Sequence, residues 1–322
     1  MKISVILCTF NRCLALRQAL GSIAGSVLPP SVEWEVLAID NNSQDQTREV
    51  VEKFCQQYPG RFRYLFEPRQ GKSYALNTGI REARGKILAF MDDDVTVEPD
   101  WLRNLTVALD DTQWAGAGGR ILPEWSVPPP AWLPLQEWYG KAPLVIFDLG
   151  PEAGPLTELP IGTNMAFRKE IFEKYGGFRT DLGPCPGSEI RGEDSEFSSR
   201  ILAAGERLRY EPSAVVHHSV SADRVQRGYF LRWWFARARS VIMASARPTE
   251  WCVAGIPLYL FRKLVTGSLR WMIAVGPSRR FSRKLAVWFL VGQIAESYRQ
   301  SRLRGTSARP EGTAKESRRT MM

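Results

Sequence analysis

The sequence predicts an α/β fold: a mostly parallel sheet flanked by helices, followed by a C-terminal helical region. Three observations predict it. Short apolar runs alternate with segments of helical period four times before Asp94, the connections between them are short, and from Val225 onward the pattern is helical and rich in aromatics. Alternation of this kind places helices on the faces of a parallel sheet.

Each element has its own signal. Ile3 to Leu7 is a short apolar run that reads as a buried strand, and a helical pattern follows from about Leu14 to Ile23. Trp34 to Ile39 reads as a second strand ending at Asp40. The polar stretch Asn41, Asn42, Ser43 comes next, and Ser43 or Asp45 is placed to cap a helix running to about Tyr58. Phe62 to Phe66 is a third strand, Lys72 to Arg84 a third helix, and Lys86 to Met91 a fourth strand ending at Asp92. Pro123 to Pro160 is rich in Pro and Trp and reads as an irregular lid or acceptor loop. Order returns with a strand and helix over Gly162 to Phe178, then a helix from Glu193 to Ala204. Beyond about Gly305 the chain is polar and basic, and disorder is expected. The expected division is therefore a sheet domain over 1–222, a basic helical region over 223–304 and a tail over 305–322.

Composition narrows the class. With 322 residues, 44% hydrophobic and 24% charged, the chain can bury a sizeable core. Its five cysteines (Cys8, Cys13, Cys55, Cys185 and Cys252) form no C-x-x-C, and an odd count argues against a disulfide framework, so a cytoplasmic setting is expected. The opening MKISVILCTFNR lacks the layout of a secretory signal, and no stretch is apolar enough to predict a spanning helix. The net charge of +9 is unevenly spread: 20 Lys+Arg face 5 Asp+Glu from Asp223 on, against 23 and 29 before it. An acidic body with a basic end suggests a polyanionic partner, nucleic acid or an anionic membrane. The acidic body argues against nucleic acid binding across the whole chain.

The chemistry-bearing residues gather where an open parallel sheet binds ligands, outside the carboxyl ends of its strands. Thr9, Asn11 and Arg12, then Asp40, then Asp92, Asp93 and Asp94 all fall there. Two like carboxylates about 5 Å apart repel by roughly 3 kcal/mol at an effective dielectric of about 20. A hard divalent cation, Mg²⁺ or Mn²⁺, removes that repulsion and commonly shares the site with phosphates. Glu193-Asp194 is a second acidic pair at a predicted helix start, suited either to capping or to general-base work. His217-His218 are the chain's two histidines and follow the strand-like YEPSAVVHH, from which one of them can complete a metal site. Gly71-Lys72-Ser73 opens a helix whose free N–H groups and lysine suit a phosphate.

Taken together, SVILCTFNR, VLAIDNNSQDQT, QGKSYALNTGI, FMDDDV, GTNMAFRKEIFEKYGGF and GEDSEF resemble, in order, the inverting glycosyltransferase family 2 over roughly Met1 to Ser240. The resemblance implies the GT-A fold, a Rossmann-like sheet, and a nucleotide-sugar donor. It implies that Asp40 contacts the base beside Thr9, Asn11, Asn42 and Arg12, and that Lys72 and Asn77 lie on the helix bordering the nucleotide. Asp92 approaches the ribose, Asp93 sits within the donor site, and Asp94, with Asp92 and His218, binds Mn²⁺ or Mg²⁺. Asp194 is the matching base, with Glu193 its neighbour. Leu76 stands where the family often has arginine, and the Q-x-x-R-W signature of processive synthases is absent, so addition of one sugar is expected. The expected acceptor is a glycan or lipid-linked precursor at the inner face of the cell membrane. Two other classes fit parts of the pattern. A sugar-nucleotide nucleotidyltransferase would need a Gly-rich loop where CTFNR stands, and a non-catalytic polyanion-binding module would rest on the basic end alone.

Overall fold

Four strands, β1 (Ile3–Thr9), β2 (Trp34–Asp40), β3 (Phe62–Phe66) and β4 (Ile87–Asp92), pair in parallel in the order β3-β2-β1-β4 in the computed structural model. The structure describes residues 2–188, 190–245 and 251–307, with side chains to 303. Side chains alternate across a strand. Ile3, Val5 and Leu7 therefore enter one core layer with α1 (Cys13–Ala24) and α2 (Thr47–Gln57). Ile6, Leu37, Ile39 and Phe90 enter the opposite layer with α3 (Lys72–Glu82). Burial on both faces explains why these strands are near-continuous apolar runs rather than alternating ones.

Beyond β4 the sheet becomes mixed. The chain continues through β5 (Val95–Val97), α4 (Trp101–Val107), β6 (Gly116–Trp125), α5 (Trp138–Lys141), β7 (Gly154–Pro155), β8 (Asn164–Arg168), α6 (Lys169–Tyr175), α7 (Glu193–Ala203) and β9 (Leu208–Val220). β8 runs antiparallel to β4, β6 antiparallel to β8, and β9 parallel to β6, with β5 and β7 pairing antiparallel to β9. Pro212 cannot donate to a ladder. The register against β6 shifts there, from Gly119 opposite Glu211 to Arg120 opposite Val215. Asn164 clips this bulge: its Nδ2 donates to Arg120 O (2.9 Å) and Ala214 O (2.8 Å), and its Oδ1 accepts from Trp101 Nε1 (2.8 Å). The clip tolerates no side chain at Gly119, where a Cβ would lie 2.2 Å from Ala214 O.

The Pro/Trp segment over 123–160 holds only short pieces of regular structure besides the end of β6, as its composition predicts. It does not float. Its Leu133 and Leu144 share a buried cluster with Val220, with Phe230 and Trp234 of α8 (Arg227–Ala244), and with Phe281 and Leu285 of α10 (Pro277–Ser307). Trp234 Nε1 donates to Tyr139 O at 2.9 Å, so the largest ring in this core keeps its polar atom satisfied. Between α8 and α10 lie β10 (Cys252–Val253), β11 (Ile256–Pro257) and α9 (Leu258–Met272), of which α9 buries a single side chain, Leu260. The helix of α10 extends to Ser307, past the expected start of the tail, and residues 308–322 lie outside the described residues.

Candidate active site

Parallel register sets the first strand ends level with one another. Thr9 lies opposite Asp40, and Cys8 opposite Asp92. The two loops leaving β1 and β2 are then knitted together. Asn11 (φ 53°) accepts from Gln44 N–H at 2.7 Å and donates its own N–H to Ser43 Oγ at 2.9 Å, and Asn42 also has positive φ (66°). Asp45 accepts the Cys13 N–H of α1 (2.9 Å) and the Thr47 N–H of α2 (3.0 Å), so it serves the starts of both helices. Asp40 is buried. One of its oxygens accepts from Ser43 N–H (2.9 Å) and the other from the Tyr64 hydroxyl (2.8 Å).

The turn Asp92-Asp93-Asp94 is the electrostatic centre, and each carboxylate meets a cation, Arg12 being shared between Asp93 and Asp94. Asp92 accepts from Lys72 Nζ (2.6 Å) and Thr163 Oγ1 (2.7 Å). Asp93 accepts from Thr9 Oγ1 (2.7 Å) and Arg12 Nη1 (3.1 Å). Asp94 accepts from Arg224 Nη2 (2.6 Å) and Arg12 Nη1 (3.1 Å), with His218 Nε2 at 3.7 Å. Burial dominates at Asp93 and pushes its carboxyl up to about 6. Burial opposes ionisation at Asp94 too, but the His218 contact and the two guanidinia outweigh it and hold that carboxyl below its ordinary range. At Asp92 burial likewise raises and Lys72 lowers, and the net direction is down.

His218 is buried and faces Val95 in the β9–β5 ladder, whereas His217 points the other way and sits 3.3 Å from Glu98. Arg224 Nη1 lies 2.5 Å from His218 Nε2. The ring's Nδ1 is buried without a hydrogen-bond partner. An aspartate oxygen and an imidazole nitrogen this close form the beginning of a mixed O/N cation site. Asp92 turns its oxygens to Lys72 and Thr163 instead. Among the described residues no group of three or more His, Cys, Asp or Glu is placed to hold a metal ion. Asp94 and His218 therefore fit a cation whose remaining ligands come from phosphate and water, on condition that Arg224 gives way.

The second acidic pair opens α7. Gly192 precedes it at φ +103°, and a Cβ there would lie 2.1 Å from Arg237 Nη1. Glu193 is buried with Oε1 3.7 Å from Lys72 Nζ. Burial pushes its carboxyl up although Lys72 pulls the other way. Asp194 is only half-buried; it accepts from Gly162 N–H (2.9 Å) and Ser195 N–H (2.6 Å). Lys72 thus ties the first acidic group to the second. Two clefts flank the acidic turn. One, about 730 Å³, has Arg12, Asp94, His217 and Arg224 in its wall. The other, about 620 Å³, has Lys72, Asp92, Asp194, Trp138, Trp233 and Arg237.

Of the residues singled out in the sequence, Thr9, Arg12, Lys72, Asp92, Asp93, Asp94, Glu193, Asp194 and His218 converge through these contacts. Asn77 is placed elsewhere. Its amide brackets the backbone of Phe178, donating to the carbonyl (2.8 Å) and accepting from the N–H (2.9 Å), so it clasps the approach to α7. Thr163, Arg224 and Arg237 were not foreseen. Arg224 enters through the 3₁₀ turn Ala222–Val225, which no sequence periodicity announces.

The mannosyltransferase PcManGT from Pyrobaculum calidifontis, solved with GDP-Man and Mn²⁺, superposes with a TM-score of 0.56 at 21% identity, covering 96% of this chain and 76% of that one. That likeness shows the fold, which is the GT-A fold. Among curated relatives, glucosyl-dolichyl phosphate glucuronosyltransferase of Haloferax volcanii is 25% identical over 248 residues, 75% of this chain and 77% of that protein. Succinoglycan biosynthesis protein ExoM of Rhizobium meliloti is 26% identical over 240 residues, 74% and 72% respectively. The family model for glycosyl transferase family 2 matches residues 4–176, and the chain belongs to that family. Membership displaces the nucleotidyltransferase and binding-module readings of the sequence.

Proposed function

We propose that this glycosyltransferase moves one sugar, with inversion, from a nucleotide-sugar donor to a hydroxyl of a lipid-linked or cell-surface glycan precursor. The observation that carries the reading is the pair of carboxylates, Asp92 and Asp194, in the wall of one cleft and joined to the same network through Lys72 and Glu193. On this reading Asp194 is the general base. It takes the proton of the acceptor hydroxyl while that oxygen forms a bond to the anomeric carbon and the bond from that carbon to the diphosphate breaks. Glu193, buried 3.7 Å from Lys72 Nζ, supports that lysine rather than taking the proton.

Thr9, Asn11, Arg12, Asp40 and Asn42 form the loops that would receive the nucleoside, Asp92 and Asp93 its ribose side, and Lys72 the diphosphate. Asp94 and His218 would hold Mn²⁺ or Mg²⁺, whose charge offsets the charge gathering on the departing nucleoside diphosphate. Solved neighbours of the same fold contain GDP-Man with Mn²⁺, UDP, or UDP-GlcNAc, and a UDP-sugar is the first donor to test. The name of the Haloferax relative carries a dolichyl phosphate acceptor, which supports a lipid-linked acceptor and a place at the cytoplasmic face of the membrane. The chain divides on this reading into a transferase domain over 1–222 and a basic helical region over 223–304.

A panel of nucleoside diphosphates, titrated by calorimetry with and without Mn²⁺, tests the donor and metal assignments. One nucleotide should bind much more tightly with Mn²⁺, and Asp94→Ala should abolish that difference while the protein stays folded. Equal binding with and without the ion in the wild type, or an unchanged Mn²⁺ effect in Asp94→Ala, would remove the metal from the account.

A further inference from the structure

The apolar residues of α9 are arranged the wrong way round for a helix that packs on its own domain. Leu258, Phe261, Val265, Leu269 and Met272 recur at steps of three and four, which places them on one face. All five are exposed. The inward side, by contrast, is marked by Leu260, the helix's one buried residue. The stripe runs the length of a 15-residue helix, about 22 Å at ~1.5 Å per residue. It continues into the turn before α10, where Ile273 is 76% and Val275 84% exposed.

Charge surrounds the stripe. From Trp251 to Ala295 the chain has seven basic residues and no acidic one: Arg262, Lys263, Arg270, Arg279, Arg280, Arg283 and Lys284. Among the described residues none of the seven is in an ion pair. Lys263 and Lys284 instead lie over the rings of Tyr259 and Trp271. Water leaves five large apolar side chains unburied, and a second copy of the chain would set seven unpaired cations against seven more. A nucleic acid would meet the cations but not the apolar stripe. An anionic bilayer satisfies both, since its acyl boundary takes the apolar face and its headgroups take the cations. No described helix is long and apolar enough to cross a membrane, which fits a helix lying in the interface plane.

We propose that the outward face of α9, with the Ile273–Val275 turn and the first turns of α10, is the surface by which this enzyme seats on a membrane rich in anionic lipid. The apolar residues Phe230 and Trp234 of α8 and Phe281 and Leu285 of α10 take no part in that role, since they are buried in a shared core. The inference deepens the lipid-linked acceptor reading, because a seated enzyme meets a membrane-held acceptor, but it stands on the exposed face alone.

Flotation of the full chain with vesicles tests it. The wild type should float with mixed phosphatidylglycerol–phosphatidylcholine vesicles, stay at the bottom with pure phosphatidylcholine, and detach as salt rises. Each cation near the surface strengthens partitioning about fivefold. Arg279→Glu with Arg280→Glu should therefore weaken binding by well over tenfold, as should Val265→Ser with Leu269→Ser and Ile273→Ser. These side chains are exposed, so folding is preserved, and nucleoside diphosphate release from a soluble donor should be unchanged, which separates this proposal from the transferase reading. A wild type that never floats at low salt overturns the proposal. So does a serine variant that floats like the wild type, or one that turns from dimer to monomer with flotation unaltered, which would assign the face to self-association.

Discussion

Asp93 shows how a single residue can carry a cost the fold accepts. It is buried between Asp92 and Asp94, and burial pushes its carboxyl up to about 6 from an ordinary value near 3.8. Between those values the folded protein binds the proton and the unfolded chain does not, so stability is full at low pH and falls as pH rises through about 6. Asp93→Asn removes the titration. In chelator, the melting temperature of Asp93→Asn should match the wild type near pH 4 and exceed it increasingly toward pH 7, by up to about 3 kcal/mol of stability. A gain that is the same at both pH values would show that the carboxylate is not held neutral by its surroundings. The three aspartates were legible in the sequence because they end one apolar strand, and position at the end of a strand fixes position at the sheet edge. Which cation meets which carboxylate was not. Lys72 lies 20 residues from Asp92 and Arg224 lies 130 from Asp94, and such pairings exist only once the sheet is assembled.

Among the elements, the first four strands and the helices between them appear within a residue or two of their expected bounds, because burial on both faces leaves an unbroken apolar signal. The bulged β9 is the opposite case. The strand-like YEPSAVVHH lies within it, but the bulge at Pro212 and the clip by Asn164 that holds it are not visible in the pattern. Asn164→Ala would leave Trp101 Nε1 and two backbone carbonyls without their partner in a buried setting. At no less than about 1 kcal/mol for each of the three groups left unpaired, urea unfolding should show a loss of about 3 kcal/mol or more. A loss well below about 1 kcal/mol would mean that the bulge is held by the ladder itself. The C-terminal helices divide in a way composition did not reveal. All three mix aromatics with basic residues, yet α8 and α10 bury Phe230, Trp234 and Phe281 in a shared core while α9 buries only Leu260.

At the scale of the whole molecule, the aromatic C-terminal region is structurally inseparable from the sheet domain. Phe281 packs edge-on against Trp132 (4.8 Å between centroids) and against Phe230 (6.0 Å), and Glu296, fully buried, is paired with Arg239 at 3.0 Å and with Arg299. Truncation after Ser245 should therefore expose the cluster around Trp234 and give a chain that is insoluble or has lost its near-ultraviolet circular dichroism; a soluble, native-like truncation would contradict this packing. The same integration places Trp138 and Trp233, from the Pro/Trp segment and α8, in the cleft that holds Asp194. The central claim is that Asp194 accepts the proton during sugar transfer. Its most direct test is the rate of nucleoside diphosphate release during transfer, measured for the wild type, Asp194→Asn and Glu193→Gln at saturating donor and Mn²⁺. The account predicts that Asp194→Asn binds donor normally and loses about 10²–10⁴-fold in turnover, with a much smaller loss for Glu193→Gln. Turnover near the wild-type rate in Asp194→Asn, or a greater loss in Glu193→Gln, would contradict it.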